Sequence, residues 1–284
     1  MNRKDFLKKS LLGASAFGAA GLPNTNKPES ELPQVGFEHL PRDTKSSNMK
    51  KVLHRAATRG HADHGWLDTH HTFSFANYRN PERIHFGALR VLNDDRVAAG
   101  RGFPKHSHDN MEIISIPLEG DLEHQDSMGN KTIIRQGDVQ IMSAGRGVVH
   151  SEMNHRADRE VKFLQIWVFP REKNIAPNYD QATFPAEERR NRVQTVVSPA
   201  GSEGIDIHQD AWFSMVDLDE GKKISYPIHR KGNGVYVFVL EGSVQTADET
   251  LHARDGIGVW ETESLELSAQ SSARLLLIEV PMTF

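Results

Sequence analysis

Short runs of β-branched and apolar residues, separated by turns rich in glycine, asparagine and aspartate, restrict most strongly how this chain can fold. The run 113–116, followed by the turn at Glu119 and Gly120, is typical of them. Long helical periodicity is scarce, and 186–191 is only a short polar stretch. Because such spacing is typical of antiparallel sandwiches and barrels, we expect an all-β fold.

Two short pairs of potential metal ligands lie beside these turns. They are His106-Ser107-His108 and His150-Ser151-Glu152. On a strand, residues i and i+2 point to the same face, about 6.5–7 Å apart along the backbone. Imidazole and carboxylate suit a first-row divalent metal, and a chain without cysteine offers no thiolate. Two such strands facing each other predict a metal site with His106, His108, His150 and Glu152 as ligands.

The positions of the two pairs separate them from the other histidines. Either pair alone is a weak signal, because 15 histidines in 284 residues produce such pairs by chance. Both stand at a predicted strand edge next to a turn, where sites on rigid sheets are usually placed. The His-x-Asp pairs that begin at His61, His124 and His208 are not interpreted as ligands.

Several neighbouring residues have more ordinary interpretations. We expect His124 and Asp126 to be structural or to lie at the pocket rim, and His70 and His71 to pack the N-terminal strand over the barrel mouth. Phe73 and Phe75 alternate as in a half-buried strand, which favours core packing over stacking on a substrate. Arg146 either donates to an anionic substrate oxygen or is a plain turn residue.

The longer pattern around the pairs resembles the two motifs of the cupin superfamily. Gly100-x5-His106-x-His108-x3-Glu112 matches the first motif in full. In the second, Gly147-x2-His150-x3-Asn154 fits, but Gly145 replaces a proline and two extra residues follow Gly137. The surrounding sequence is similar to that of bacterial pirins from about Met49 to the C-terminus. The segments that carry this resemblance are 66–75, 102–108, 124–130 and 142–152.

The pirin resemblance implies a ligand set and a reaction. It implies that His106, His108, His150 and Glu152 hold one divalent metal, with Fe(II) as the first expectation and Cu, Mn, Ni, Co or Zn as alternatives. Glu112 then becomes a neighbour that hydrogen-bonds a ligand imidazole. The resemblance further implies a dioxygenase acting with O2 on a flavonol such as quercetin or a related enolic aromatic. Glu152, or Glu112 from behind the ligands, would be the base for the substrate hydroxyl.

Two other function classes stay open. A metal-binding regulatory or sensing module would act through a protein partner without turnover, and the same site could serve an isomerase or hydrolase, because fold does not fix function. Nucleic-acid binding has no electrostatic support, since the net charge is −4 and no basic stripe is visible. We expect a small-molecule aromatic substrate and O2 as partners, and no membrane span in the mature protein.

A weak internal repeat predicts two copies of one β-barrel. Leu118-Glu119-Gly120 and Gly137-Asp138 are echoed by Leu240-Glu241-Gly242 and Asp255-Gly256, at offsets of 122 and 119 residues. His229 lies one position from a counterpart of the first pair, which on a strand means the opposite face. We therefore expect a bicupin whose second barrel lacks the metal site. The counterparts of His106, His108, His150 and Glu152 are Ile228, Arg230, Ala269 and Ser271.

The expected domain organisation begins with a targeting segment. Residues 1–22 combine a charged start with a short apolar run, and Arg3-Lys4-x-Phe6 resembles a twin-arginine signal with lysine at the second position. Export to the periplasm is expected, or a cytoplasmic location if this segment is not a working signal. A linker at 23–48, a metal-binding cupin domain at 49–170, a connector at 171–193 and a cupin-like domain at 194–284 complete the prediction.

Overall fold

The computed structural model describes residues 49–284, so the predicted signal-like segment and linker lie outside the described residues. The described chain is almost entirely β-structure, with two short 3₁₀ helices at Ala56–Thr58 and Ala186–Arg189. The all-β prediction is confirmed. No helix within 49–284 is long and apolar enough to span a membrane.

The first twelve strands are β1 (Lys50–His54), β2 (Gly60–Asp63), β3 (Leu67–His71), β4 (Leu89–Val97), β5 (Gly102–His108), β6 (Glu112–Glu119), β7 (Asp121–Asp126), β8 (Lys131–Arg135), β9 (Asp138–Ser143), β10 (Val148–Asn154), β11 (Val161–Val168) and β12 (Asn178–Thr183). The remaining ten are β13 (Gln194–Pro199), β14 (Ile205–Ile207), β15 (Trp212–Leu218), β16 (Lys223–Pro227), β17 (Asn233–Glu241), β18 (Ser243–Thr246), β19 (Glu249–His252), β20 (Gly256–Trp260), β21 (Ser264–Ala269) and β22 (Ala273–Pro281).

Each of the two domains combines a seven-stranded sheet with a four-stranded sheet. In the first domain the strand orders are β12-β9-β6-β11-β4-β3-β2 and β5-β10-β7-β8. In the second they are β1-β20-β17-β22-β15-β13-β14 and β16-β21-β18-β19. The four-stranded sheets correspond strand for strand, so that β5 and β10 of the first domain match β16 and β21 of the second. The large sheets differ at their ends, because β2 pairs with β3 antiparallel whereas β14 pairs with β13 parallel. The bicupin prediction is confirmed.

The ends of the two large sheets depart from the predicted domain boundaries. Strand β1 lies in the segment 49–170 assigned to the first domain, yet it pairs with β20 of the second, with Lys50 opposite Trp260. Strand β12 lies in the predicted connector 171–193, yet it pairs with β9 of the first domain. Both strands cover a sheet edge that would otherwise leave backbone groups unpaired, but only β1 is exchanged between the domains.

One hydrophobic cluster joins the large sheets of both domains. Ile114 and Leu164 of the first domain belong to the same buried cluster as Phe213, Tyr236 and Ile278 of the second. Strands such as β17 are consequently buried on both faces along almost their whole length. Because both faces are buried, the sequences of these strands are continuous apolar runs without alternation between apolar and polar residues.

The glycines of the internal repeat occupy equivalent turns. Gly120 follows β6 with φ of 80°, and Gly242 follows β17 with φ of 75°. Residues with side chains rarely adopt this left-handed conformation. A side-chain carbon at Gly242 would also collide with the carbonyl of Ser272.

Candidate metal centre

Strands β5 and β10 place the first pair and the second pair side by side. Along β10, His150 and Glu152 alternate with more exposed neighbours and point into the first barrel. His150 lies directly opposite His106 on β5. The next pair in the register is Glu152 with Phe103, so β5 contains an extra residue at 104–105. This bulge bends the strand and re-aims the side chains that follow it.

The three histidines converge on one point. The ring centroids of His106 and His150 are 4.4 Å apart. The ring centroid of His108 lies 4.8 Å from that of His106 and 4.9 Å from that of His150. One nitrogen from each ring lies within 4.8 Å of the others. Nε2 of His106 and Nε2 of His150 are separated by 2.9 Å. The structure thus brings together three of the four predicted ligands.

The hydrogen bonding of His106 tests whether a cation fits between these nitrogens. Nδ1 of His106 lies 2.8 Å from the carbonyl oxygen of Pro104, which can only accept, so Nδ1 carries the hydrogen. A neutral His106 then presents a lone pair on Nε2. A separation of 2.9 Å from the second Nε2 is favourable only with a hydrogen or a cation between them. Metal–nitrogen bonds of about 2.0–2.1 Å at about a right angle give this separation. The donor set fits a divalent ion.

Burial keeps two of the imidazoles uncharged. Burial, with the neighbouring His106 and His124, lowers the pKa of His150 to about 3. Burial, with His150 and His106 beside it, lowers the pKa of His108 to about 4. Near neutral pH these rings are therefore unprotonated, which is the form that binds metals.

Glu152 faces the same interior but is held by other groups. The Ser115 hydroxyl donates to Oε1 at 2.9 Å, and Nε2 of Gln165 donates to Oε2 at 2.6 Å. The carboxylate lies outside the group of three converging nitrogens. Each oxygen keeps a free lone pair, which leaves Glu152 able to bind an ion or accept a proton.

Glu112 does not lie beside the histidines, which corrects its predicted role. It precedes Ile113, which packs inside the first barrel, so strand alternation turns Glu112 to the outer face of β6. There it accepts hydrogen bonds from the Ser143 hydroxyl at 2.7 Å and from the backbone N–H of His208 at 3.2 Å. Glu112 links the two domains and is not placed to hydrogen-bond a ligand imidazole or to act as base.

A cavity of about 350 Å³ has His106, His108 and Glu152 in its wall. It joins a second cavity of about 330 Å³, with which it shares Phe75, Asn93, Asp95 and Phe103 as walls. Sites for small molecules typically measure about 300–1,000 Å³. A larger cavity of about 770 Å³ lies at the rim of the second domain, away from the histidines. The complete wall of the first cavity is Phe75, Asn93, Asp95, Phe103, Pro104, Lys105, His106, His108, Glu152, Gln165 and Trp167.

Asp95 is a buried carboxyl group in the wall of both cavities. Burial raises its pKa to about 7; the hydroxyl of Thr69 donates to it and opposes the rise, and the charges of Asp94 and Glu152 add to it. Sequence reasoning missed Asp95. The signal available was a pair of consecutive aspartates in the middle of the predominantly buried strand Leu89–Val97.

Other predicted neighbours divide between structural and cavity positions. His124 and Asp126 are buried and joined by a hydrogen bond of 2.9 Å between Nε2 and Oδ2, which is a structural role. Phe73 lies in the core, but Phe75 lines the cavity and packs edge-on against Trp167. His71 lines the second cavity, whereas the adjacent His70 lies on the outer face of β3. Arg146 is an exposed turn residue and lies outside both cavities.

A two-barrel cupin with a three-histidine centre in its first barrel is the class defined by this fold and site. The chain belongs to the pirin family: the model described as Pirin matches residues 52–168, and that of the quercetinase C-terminal cupin domain matches 195–280. Quercetin 2,3-dioxygenase of Escherichia coli K12 is 41% identical over 230 residues, covering 81% of this chain and 98% of the relative.

Two further relatives support the family assignment. A pirin-like protein of Caulobacter vibrioides is 37% identical over 222 residues, covering 78% of this chain and 95% of its own length. The crystal structure of the bacterial pirin YhhW from Escherichia coli in complex with nickel(II) superposes with a TM-score of 0.77 at 39% identity. That match covers 82% of this chain and 99% of YhhW.

Proposed function

We propose that this protein is a metal-dependent dioxygenase that cleaves a flavonol or a related planar enolic aromatic with O2. One observation carries the proposal: two imidazoles of the three-histidine centre, those of His106 and His108, line a cavity of about 350 Å³ that also presents a carboxylate and aromatic rings. The relatives named above, one of them a quercetin 2,3-dioxygenase, support the same substrate class.

The cavity walls divide the tasks of binding and proton transfer. Phe75, Phe103 and Trp167 offer ring faces and edges to a flat aromatic substrate. Glu152 accepts the proton of the substrate hydroxyl, because its oxygens retain free lone pairs while Ser115 and Gln165 hold the carboxylate in place. The apolar rings also keep bulk water from the reacting atoms.

His106, His108 and His150 would hold the metal, with Glu152 as a further ligand or as the base. We propose Fe(II) as the resident ion. Bound there, a divalent ion supplies Lewis acidity toward the substrate oxygen and reactivity toward O2. Metal analysis of protein purified from its own host tests this choice, and another metal at full occupancy would contradict it.

The decisive experiment supplies iron(II), O2 and quercetin and follows flavonol absorbance together with carbon monoxide release. His150→Ala should lose most of the bound metal and at least about 100-fold of the turnover, because ligand loss exceeds the 10–100-fold typical of outer groups. His252→Ala is the matched control, since His252 is an exposed histidine of the second domain.

Each outcome decides between the candidate functions. Turnover in the wild type that falls only in His150→Ala supports the dioxygenase. Full metal occupancy without turnover across a panel of flavonols would favour the sensing module. Unchanged metal content and turnover in His150→Ala would refute the site itself.

We also propose that residues 1–22 export the protein through the twin-arginine pathway. Replacing Arg3 and Lys4 together with alanine should retain the protein in the cytoplasm. Fractionation with a cytoplasmic marker measures this, and unchanged distribution would contradict the proposal.

A further inference from the structure

The outer face of the hairpin formed by β2 and β3 carries a second group of potential metal ligands. His61 on β2 lies directly opposite His70 on β3, and Asp68 lies two residues before His70 on the same face. Nε2 of His61 is 2.9 Å from Oδ1 of Asp68, and Nδ1 of His70 is 3.8 Å from the same oxygen. The two imidazoles stack with ring centroids 4.5 Å apart.

This group repeats the geometry of the candidate metal centre on another strand pair. At the centre, His106 and His108 lie two apart on one strand, and His150 lies opposite His106 on its antiparallel neighbour. Here the i and i+2 positions are Asp68 and His70, and the opposite residue is His61. In both groups one ligand atom from each of three residues lies within 4.8 Å of the others.

We propose that His61, Asp68 and His70 form a second divalent metal site, separate from the first and suited to Zn²⁺. Two imidazoles and one carboxylate oxygen leave a fourth tetrahedral position for water, and the side chains are exposed enough for an ion to reach them. Nη2 of Arg96 donates to Oδ2 of Asp68 at 2.6 Å. Such a partner orients the carboxylate and leaves Oδ1 for the ion.

The position of the site gives the ion a mechanical role. Strand β2 is the edge of its sheet, so only β3 holds it by backbone hydrogen bonds. An ion bound by His61 and His70 ties β2 to β3 through their side chains. On the inner face of β3, Thr69 and His71 line the cavity of about 330 Å³ that joins the candidate active site. The second ion would therefore brace the wall of the substrate cavity.

Equilibrium dialysis of the chelator-stripped full chain against Zn²⁺ at pH 7.5 tests the proposal. The wild type should bind about two equivalents, and His61→Ala and Asp68→Asn about one each, because each removes one of three protein ligands. His64→Ala is the matched control, since His64 is an exposed histidine in the turn of the same hairpin. It should retain both equivalents.

A double variant, His106→Ala with His108→Ala, isolates the proposed site. It should still bind about one equivalent, and Zn²⁺ should raise its melting temperature, because an ion that binds only the folded state stabilises it. Adding His61→Ala should abolish both effects. One equivalent in the wild type that disappears in the double variant would overturn the proposal, as would equal binding by His61→Ala and His64→Ala.

Discussion

The two barrels share one strand plan but differ in what fills them. In the second barrel, Tyr226 of β16 and Leu265 and Leu267 of β21 join a cluster of 16 buried hydrophobic residues. In the first barrel, the corresponding strands β5 and β10 carry the three histidines and Glu152. Its own apolar residues form two smaller clusters of six and four. The interior of the second barrel is filled mainly by packed hydrophobic side chains, whereas that of the first holds the three histidines and Glu152 within a similar arrangement of strands.

The polar interior of the first barrel is only partly satisfied by its own hydrogen bonds. Glu152 is paired with Ser115 and Gln165, but Nδ1 of His124 and Nδ1 of His150 are buried without a protein hydrogen-bond partner among residues 49–284. Unpaired buried polar atoms destabilise a fold. The largely apolar second barrel and the cluster that joins the domains supply packing that offsets this cost.

Glu152→Gln should produce the largest effect and separate the two carboxylates of the first domain. We expect turnover to fall by about 100- to 10,000-fold, the usual contribution of a general base, while the three histidines retain the metal. Glu112→Gln is the control, because that side chain lies on the outer face of the sheet. Equal losses in the two variants, measured as kcat beside metal content, would contradict the division between inner and outer face.

Leu267→Ala tests the packed barrel. Leu267 is fully buried, so we expect a loss of about 2–5 kcal/mol in the free energy of unfolding, with metal stoichiometry unchanged in the folded protein. Glu266→Ala, on the exposed face of the same strand, should change stability by less than about 0.5 kcal/mol. Urea unfolding measures both. A small effect of Leu267→Ala would show that the second barrel is not the main apolar support.

The predictions that succeeded from sequence depend on local alternation. An i, i+2 pair on a strand fixes the common face of His106 and His108, and turn glycines mark the repeat at Gly120 and Gly242. The same alternation places Asp68 and His70 on one face, but His61 joins them only through the register of β2 with β3.

The failures arise where alternation is uninformative or pairing is distant. Strand β6 is buried on both faces, so the pattern around Glu112 does not show which face is inside the barrel. The pairing of β1 with β20 joins Lys50 to Trp260, far beyond what local patterns specify. The bulge at 104–105, which aligns His106 with His150, depends on register between strands.

Asp95→Asn tests the polar interior of the first barrel through the pH dependence of the free energy of unfolding. Burial raises the folded-state pKa of Asp95 from 3.8 to about 7, so between these values the native state holds a proton that the unfolded chain has lost. Wild-type stability should therefore fall as pH rises through this window, by up to about 1.4 kcal/mol per pH unit from this group, and level off above it. Asparagine cannot ionise, so the stability of Asp95→Asn relative to the wild type should increase from pH 4.5 to 7.5 in urea unfolding. Asp63→Asn removes an exposed carboxyl from the neighbouring hairpin and is the control. A difference between Asp95→Asn and wild type that stays constant with pH would mean that the first barrel holds this carboxyl without the penalty that its burial predicts.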